Sequence, residues 1–451
     1  MSHQRRIDAL ASVEQACVMA ENDRPWPVWL RKGRTSSLLV RICLLIGLVY
    51  CMYLAGERGI SAWYLRQSSV AALESAIAWD SANPQNFDDL GTLIHTYGDG
   101  GDPDRIIQYY QTATRLSPQN AQYWSDLGAA YDWAGRQNEA ISAFHRALKL
   151  FPNSPDINWR VANFCIRTGK TPEGFHSLRK VLLGGSVPRL DVFALAERAT
   201  SNKRTILDEV LPPDISILVD YLNFQIGKDD IGAAEQGWHR LLELKLPFDL
   251  RQAFPYLDAL IRHRKLAEVS GAWSLLTNYF PSEVYPDAAD DNLVVNGSFE
   301  HEILNGGFDW RVLPTKGAIV SLDTENRFDG ARSLRIDFDS TENPYYYHVF
   351  QYVTVKPETR YHFSGYLQVK GITTDSGPAF EIFDAYDTKK LFLSGDGLVG
   401  TSGWRVQEFE FKTQPNTELL IVRIGRRPSH KLANQIAGTV WVDTVRLETE
   451  N

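Results

Sequence analysis

The apolar positions of this chain follow successive rhythms. From Leu38 to Ala55 it reads LLVRICLLIGLVYCMYLA, with Arg41 as the one charge. A run that is apolar on every side and close to the roughly 20 residues a spanning helix needs predicts a membrane helix. From about Ile60 to Phe280, apolar residues recur at the spacing of helices that bury one stripe. Beyond Leu293 that spacing stops. Short segments now alternate, as in SLRIDF (Ser333–Phe338), RYHFSGYLQVK (Arg360–Lys370) and RVQEFEFK (Arg405–Lys412). In the second of these, Tyr361, Phe363, Leu367 and Val369 face one way, and His362, Ser364, Tyr366, Gln368 and Lys370 the other. Period-two alternation in several short strands predicts an antiparallel sandwich. The expected order is a tail (1–37), a transmembrane helix (38–55), a helical array (60–283), a polar linker (284–292) and an all-β sandwich (293–451).

The helical region repeats itself at about 34 residues. Between Ala121 and Ser154, the residues Trp124, Leu127, Gly128, Tyr131, Ala140, Phe144, Ala147 and Pro152 fall at the positions of a tetratricopeptide repeat (TPR), which this segment resembles. Gly128 and Ala140 let two antiparallel helices approach, and Pro152 cannot continue the second. The register extends upstream through Leu90, Leu93, Tyr97, Tyr110, Ala113 and Pro118, and more loosely downstream through Val161, Ala162, Gly174, Leu178 and Val181. From Gly184 to Pro213 the pattern stays helical but loses the period. The expected fold class is therefore an all-α TPR-like solenoid followed by an all-β sandwich. A stack of repeats has no single reactive centre, so its expected role is docking a protein partner or spacing the last domain.

The C-terminal third opens on LVVNGSFE (Leu293–Glu300), passes through Phe308-Asp309-Trp310 and Gly330-Ala331-Arg332-Ser333-Leu334, and closes on WVDTVRL (Trp441–Leu447). This order resembles the galactose-binding-like jelly rolls of carbohydrate-binding modules. The resemblance implies a glycan ligand and a structural calcium, with Glu300 and Asp443 as the matching side chains and backbone carbonyls completing the oxygen shell. Trp310, Trp404 and Trp441 sit at positions that are more often core. Stacking on a pyranose needs flat rings beside hydroxyl-binding groups. The candidates on the non-core face are Tyr366, Gln368, Glu381, Phe383 and Arg423, with Tyr346 in the aromatic run Pro344–Tyr347 beside them.

Charge adds an orientation. Arg24, Arg31, Lys32 and Arg34 precede the apolar run with no acid among them, whereas Arg58 is paired with Glu57 beyond it. The positive-inside rule then puts the N-terminus in the cytoplasm and the bulk outside a single-pass inner (cell) membrane. A net charge of -8, with Lys and Arg spread along the chain, argues against a nucleic-acid partner. Four cysteines, only Cys165 of them in the large folded region, give no disulfide framework. His301-Glu302 lacks the second histidine of a zinc-protease helix, and Gly169-Lys170-Thr171 lacks the earlier glycine of a phosphate loop. No catalytic residue is assigned. The expected function is a non-enzymatic polysaccharide-binding protein of the cell envelope. The alternatives are a protein–protein scaffold for envelope or polysaccharide-export assembly, and a glycan-cleaving enzyme with the sandwich as its accessory module.

Overall fold

The computed structural model describes residues 34–67, 69–97, 102–281, 291–432 and 434–450, without the side chains of 34–37. The expected tail, with Cys17 and the flanking Arg24, Trp26, Trp29, Arg31 and Lys32, lies outside the described residues apart from the backbone of 34–37. So does the expected linker, apart from Asp291 and Asn292. The chain forms two compact units, residues 1–187 and 188–451.

The first unit begins with helix α1 (Arg34–Leu65, 32 residues). Its stretch from Leu38 onward is long and apolar enough to cross a membrane, and none of the described residues covers its apolar window. The helix does not stop at Ala55. Residues 56–65 contain no proline, and the Ser61 hydroxyl is buried against Asn86, whose Nδ2 donates to it at 3.0 Å. The apolar helix is thus also the first helix of the array.

The helices α2 (Val70–Trp79), α3 (Pro84–Tyr97), α4 (Pro103–Leu116), α5 (Ala121–Trp133), α6 (Gln137–Leu150), α7 (Pro155–Arg167) and α8 (Thr171–Gly184) follow. Their boundaries are written in the sequence. The side chains of Ser69, Asp102, Asn120 and Ser154 accept first-turn N–H groups. Gly135 and Gly169, at φ +75 and +77, turn the chain from α5 to α6 and from α7 to α8. A Cβ on Gly128 would lie 2.8 Å from the Phe144 ring, so α5 and α6 need that glycine to reach their spacing.

The second unit opens irregularly, as the lost period predicts. Helix α9 (Arg189–Ala199) is followed by the single turn α10 (Lys203–Thr205), which continues as a π turn over Ile206–Val210. Helices α11 (Ile215–Gly227), α12 (Ile231–Glu243), α13 (Phe254–Arg262) and α14 (Leu266–Tyr279) form two further pairs. The ten strands are β1 (Arg311–Val312), β2 (Ala318–Asp323), β3 (Ser333–Asp339), β4 (Tyr346–Thr354), β5 (Arg360–Ile372), β6 (Ala379–Asp384), β7 (Phe392–Ser394), β8 (Gly400–Lys412), β9 (Leu419–Arg426) and β10 (Ala437–Thr449). They make two five-stranded antiparallel sheets, β1-β4-β9-β6-β7 and β2-β3-β10-β5-β8, packed face to face as a jelly roll. Phe299, Trp310, Phe363, Phe380 and Val422 are among the residues that fill the space between them.

The sandwich and the last helices share a core. Leu304, Phe308 and Leu419 are buried in one cluster with Phe254, Leu257 and Trp273. Gly306 and Gly307 permit this contact, because a Cβ on either would fall inside the ring of Phe254 or Trp273. Arg311 pairs with Asp258 at 2.5 Å, and the Tyr386 hydroxyl donates to the Ile261 carbonyl at 2.7 Å.

Candidate functional site

The outer face of the β1-β4-β9-β6-β7 sheet is set by strand alternation. Phe380 and Ile382 of β6, and Leu420, Val422 and Ile424 of β9, enter the core. Glu381, Phe383 and Arg423 therefore point away from it. Arg423 and Glu381 are register partners, with Arg423 Nη2 2.5 Å from Glu381 Oε2. The same guanidinium donates to the Tyr345 hydroxyl at 2.9 Å and lies 4.6 Å from the centre of the Phe383 ring. Its carbon is 5.7 and 5.9 Å from the rings of Tyr345 and Tyr347. A charge-paired, ring-stacked arginine is held in one geometry. Glu381 is only 2% exposed and Phe383 7%, whereas Tyr345 and Tyr347 present their rings to solvent.

Beside Glu381 opens a cleft of about 390 Å³, lined by Ser376, Ser394, Arg427 and the backbone of Gly377, Gly395 and Gly397. Arg426 forms its wall at 1% exposure. Its guanidinium donates to the carbonyls of Ser376 and Pro344 and to Asn343 Oδ1, all at 2.8–2.9 Å. Burial lowers its pKa, and the nearby Asp375 carboxylate works against that shift. Ser376, Ser394, Arg426 and Arg427 escaped the reading from sequence. They lie in loops or at strand ends, where alternation carries no signal, and only the density of glycine around them marks the region.

Two placements differ from the expectation. Tyr346 is fully buried, with its ring edge-on to Phe338 at 5.2 Å. The register between β4 and β9 shifts between Tyr346 and Val349, which sends the middle ring of the run inward and its neighbours outward. Tyr366 and Gln368 lie on the other sheet, facing away from the core on β5. There Tyr366 stacks on Phe328 at 3.7 Å, so one of its faces is already taken. The six candidates are therefore split between two opposite faces and the core. Tyr352 and Leu419, on the outer face of the first sheet, pack into the cluster shared with α13 and α14, so one end of that face is covered.

Glu300 and Asp443 converge on one loop. Asp443 Oδ2 accepts from the backbone N–H of Phe328 and Asp329 at 2.8 and 3.2 Å, and Glu300 Oε1 from Ala331 and Arg332 at 2.8 and 3.2 Å. Asp443 is fully buried and forms no ion pair with another described residue. Burial raises its carboxyl above the usual range, against the pull of the N–H groups. Asp443 Oδ1 accepts in turn from the Thr444 N–H at 2.7 Å, so backbone amides hold both of its oxygens. Among the described residues no third carboxylate, imidazole or thiol joins them.

In the array, α3, α5 and α7 bring equivalent positions of successive repeats together. Arg160 pairs with Asp126, and Arg167 with Asp132. Asp88 lies near Asp126 and Asp89. Burial first, and then those two carboxylates, push its carboxyl up to about 8. His95 packs 5.2 Å from the exposed Trp133.

The family model for the tetratricopeptide repeat matches residues 121–154. The chain is 26% identical over 166 residues to the peroxisomal targeting signal receptor of Saccharomyces cerevisiae, covering 36% of this chain and 23% of the receptor. It is 21% identical over 157 residues to the formate-dependent nitrite reductase complex subunit NrfG of Escherichia coli O157:H7, covering 34% and 66%. The chain thus spans about a quarter of the receptor relatives' length. Among solved structures, a family 16 carbohydrate-binding module is 18% identical (TM-score 0.25), covering 35% of this chain and 99% of the module. A MamA crystal structure is 17% identical (TM-score 0.25), covering 39% and 86%. Tetratricopeptide repeats of this kind imply protein–protein interaction.

Proposed function

We propose that this chain is a non-enzymatic, membrane-anchored binding protein of the cell envelope. Helix α1 spans the inner membrane with its N-terminus cytoplasmic. The repeats dock a protein partner, and the sandwich engages a polysaccharide. The observation that carries the glycan reading is the uncovered end of the β1-β4-β9-β6-β7 face. There the exposed rings of Tyr345 and Tyr347 stand beside the fixed Arg423–Glu381 pair, with a polar cleft nearby. Rings supply stacking area, and serines, arginines and backbone amides supply partners for hydroxyls. Tyr366 and Gln368 form a second, weaker candidate on the opposite face. For the repeats, support comes from the similarity to a receptor that recognises a targeting signal.

The test is glycan-array binding of the full chain in a membrane mimetic. Tyr347→Ala is expected to lose saccharide binding about tenfold or more, a difference of about 1.4 kcal/mol, while Tyr366→Ala keeps it. The reverse result moves the site to the other sheet. No binding by the intact protein removes the glycan reading.

A second reading is favoured by the buried end of that sheet face: the sandwich packs on α13 and α14 as a structural element and the protein works as a scaffold alone. Partner capture that depends on the repeats, without glycan binding, supports it. A structural calcium held by Glu300 and Asp443 belongs to either reading. Calcium is expected to raise the melting temperature by a few degrees. That increment disappears in Asp443→Ala. A melting temperature indifferent to calcium and chelator removes the metal.

A further inference from the structure

One cavity in the repeats belongs to neither reading. It measures about 420 Å³ and is bounded by α6, α7 and α8. Its floor is apolar, made by Phe144, Leu148, Val161, Phe164 and Cys165. Its rim carries His145, Lys170, Glu173 and His176.

The repeat itself explains why a space exists. One period earlier, Leu127 and Tyr131 stand where Val161 and Cys165 stand here. Tyr131 is buried, and its hydroxyl accepts from Gln111 Nε2 at 2.8 Å, so its ring fills the corresponding junction. At the next junction a thiol replaces a phenol and a shorter aliphatic replaces leucine. Close packing is the rule in protein interiors, and leaving space unfilled costs stability. Small-molecule sites occupy about 300–1,000 Å³, are mostly apolar, and carry a few polar groups that fix orientation. This cavity meets each of these descriptions.

The rim selects the head group. Lys170 and two imidazoles, all able to donate, face a single carboxylate, Glu173. A cationic head would sit against Lys170, whereas an anionic head gains an ammonium and two imidazole donors against one acidic neighbour, Glu173. We propose that this cavity binds a small organic monocarboxylate, its apolar body against Phe144, Phe164 and Cys165 and its carboxylate on Lys170 and the histidines. The site depends on neither the saccharide nor the protein partner.

The probe is 4-phenylbutyrate, titrated by saturation-transfer NMR against the full chain in an amphipathic polymer. Saturable binding is expected at or below about 1 mM. Cys165→Tyr, which restores the ring of the preceding repeat, is expected to weaken binding at least about tenfold without lowering the melting temperature. Lys170→Glu is expected to weaken it by a similar factor, and to leave the neutral 4-phenylbutanol unaffected. Should Cys165→Tyr not fold, alkylation of Cys165 followed by mass spectrometry replaces it: the probe must slow alkylation in the native chain. Probe binding that is equal in the native chain and in both variants overturns the proposal, as does alkylation indifferent to the probe. So does the absence of saturable binding up to about 10 mM.

Discussion

Asp88 shows what single residues of the array contribute. Its carboxyl is pushed up to about 8 by burial and by Asp126 and Asp89, and its Oδ1 is buried without a hydrogen-bond partner. In the unfolded chain the group titrates near the ordinary aspartate value of about 4. The folded state thus holds the extra proton between those values. The stability it contributes is fully present below about 4 and is lost as pH rises through about 8. Asp88→Asn keeps the shape and removes the titration. Thermal melts of both proteins across this window are expected to diverge, with the variant a few degrees more stable at pH 8 and above. Identical pH profiles would show that Asp88 is solvated. At this scale the sequence was partly legible. Alternation placed Tyr361, Phe363, Leu367 and Val369 inside, and Trp310 is fully buried with its indole N–H donating to the Asn296 carbonyl at 3.1 Å. Tyr346 was not legible, because three consecutive tyrosines look alike and only a register shift decides which one turns inward.

Among the elements, the join between α13–α14 and the sandwich has the strongest consequence. Phe254 and Trp273 pack on Leu304 and Phe308, with Gly306 and Gly307 allowing the approach. Residues 288–451 produced alone would expose Leu304, Phe308, Tyr352 and Leu419. Residues 188–451 keep them covered. The shorter piece is expected to melt several degrees lower and to bind a hydrophobic dye, whereas the longer one unfolds in a single transition. Equal melting temperatures would show that the join contributes little. The helical spacing of α13 and α14 was visible in the sequence, since period is local, whereas Leu304 and Phe308 lie outside any strand. Their contact was not, because nothing in the spacing of Leu304 and Phe308 relates them to Trp273.

For the whole molecule, the order of parts followed from changes of rhythm: an apolar run, a repeat of helices, then alternating strands. The grouping of those parts did not. The chain gathers into units at 187 and 188, inside the helical region, and its β-sandwich shares a core with the helices that precede it. Nor did the sequence disclose that the apolar helix and the first repeat helix are one. At about 1.5 Å per residue, the 32 residues of α1 make a rod of about 48 Å. Its last turns are clamped by Ser61 against Asn86. Such a rod has no swivel. On a bilayer, the tilt of the buried portion and the heading of the first repeats become one variable. Were α1 to span a bilayer as proposed, a change in membrane thickness that leaned the helix would steer the first repeats with it, as a rudder post turns its blade.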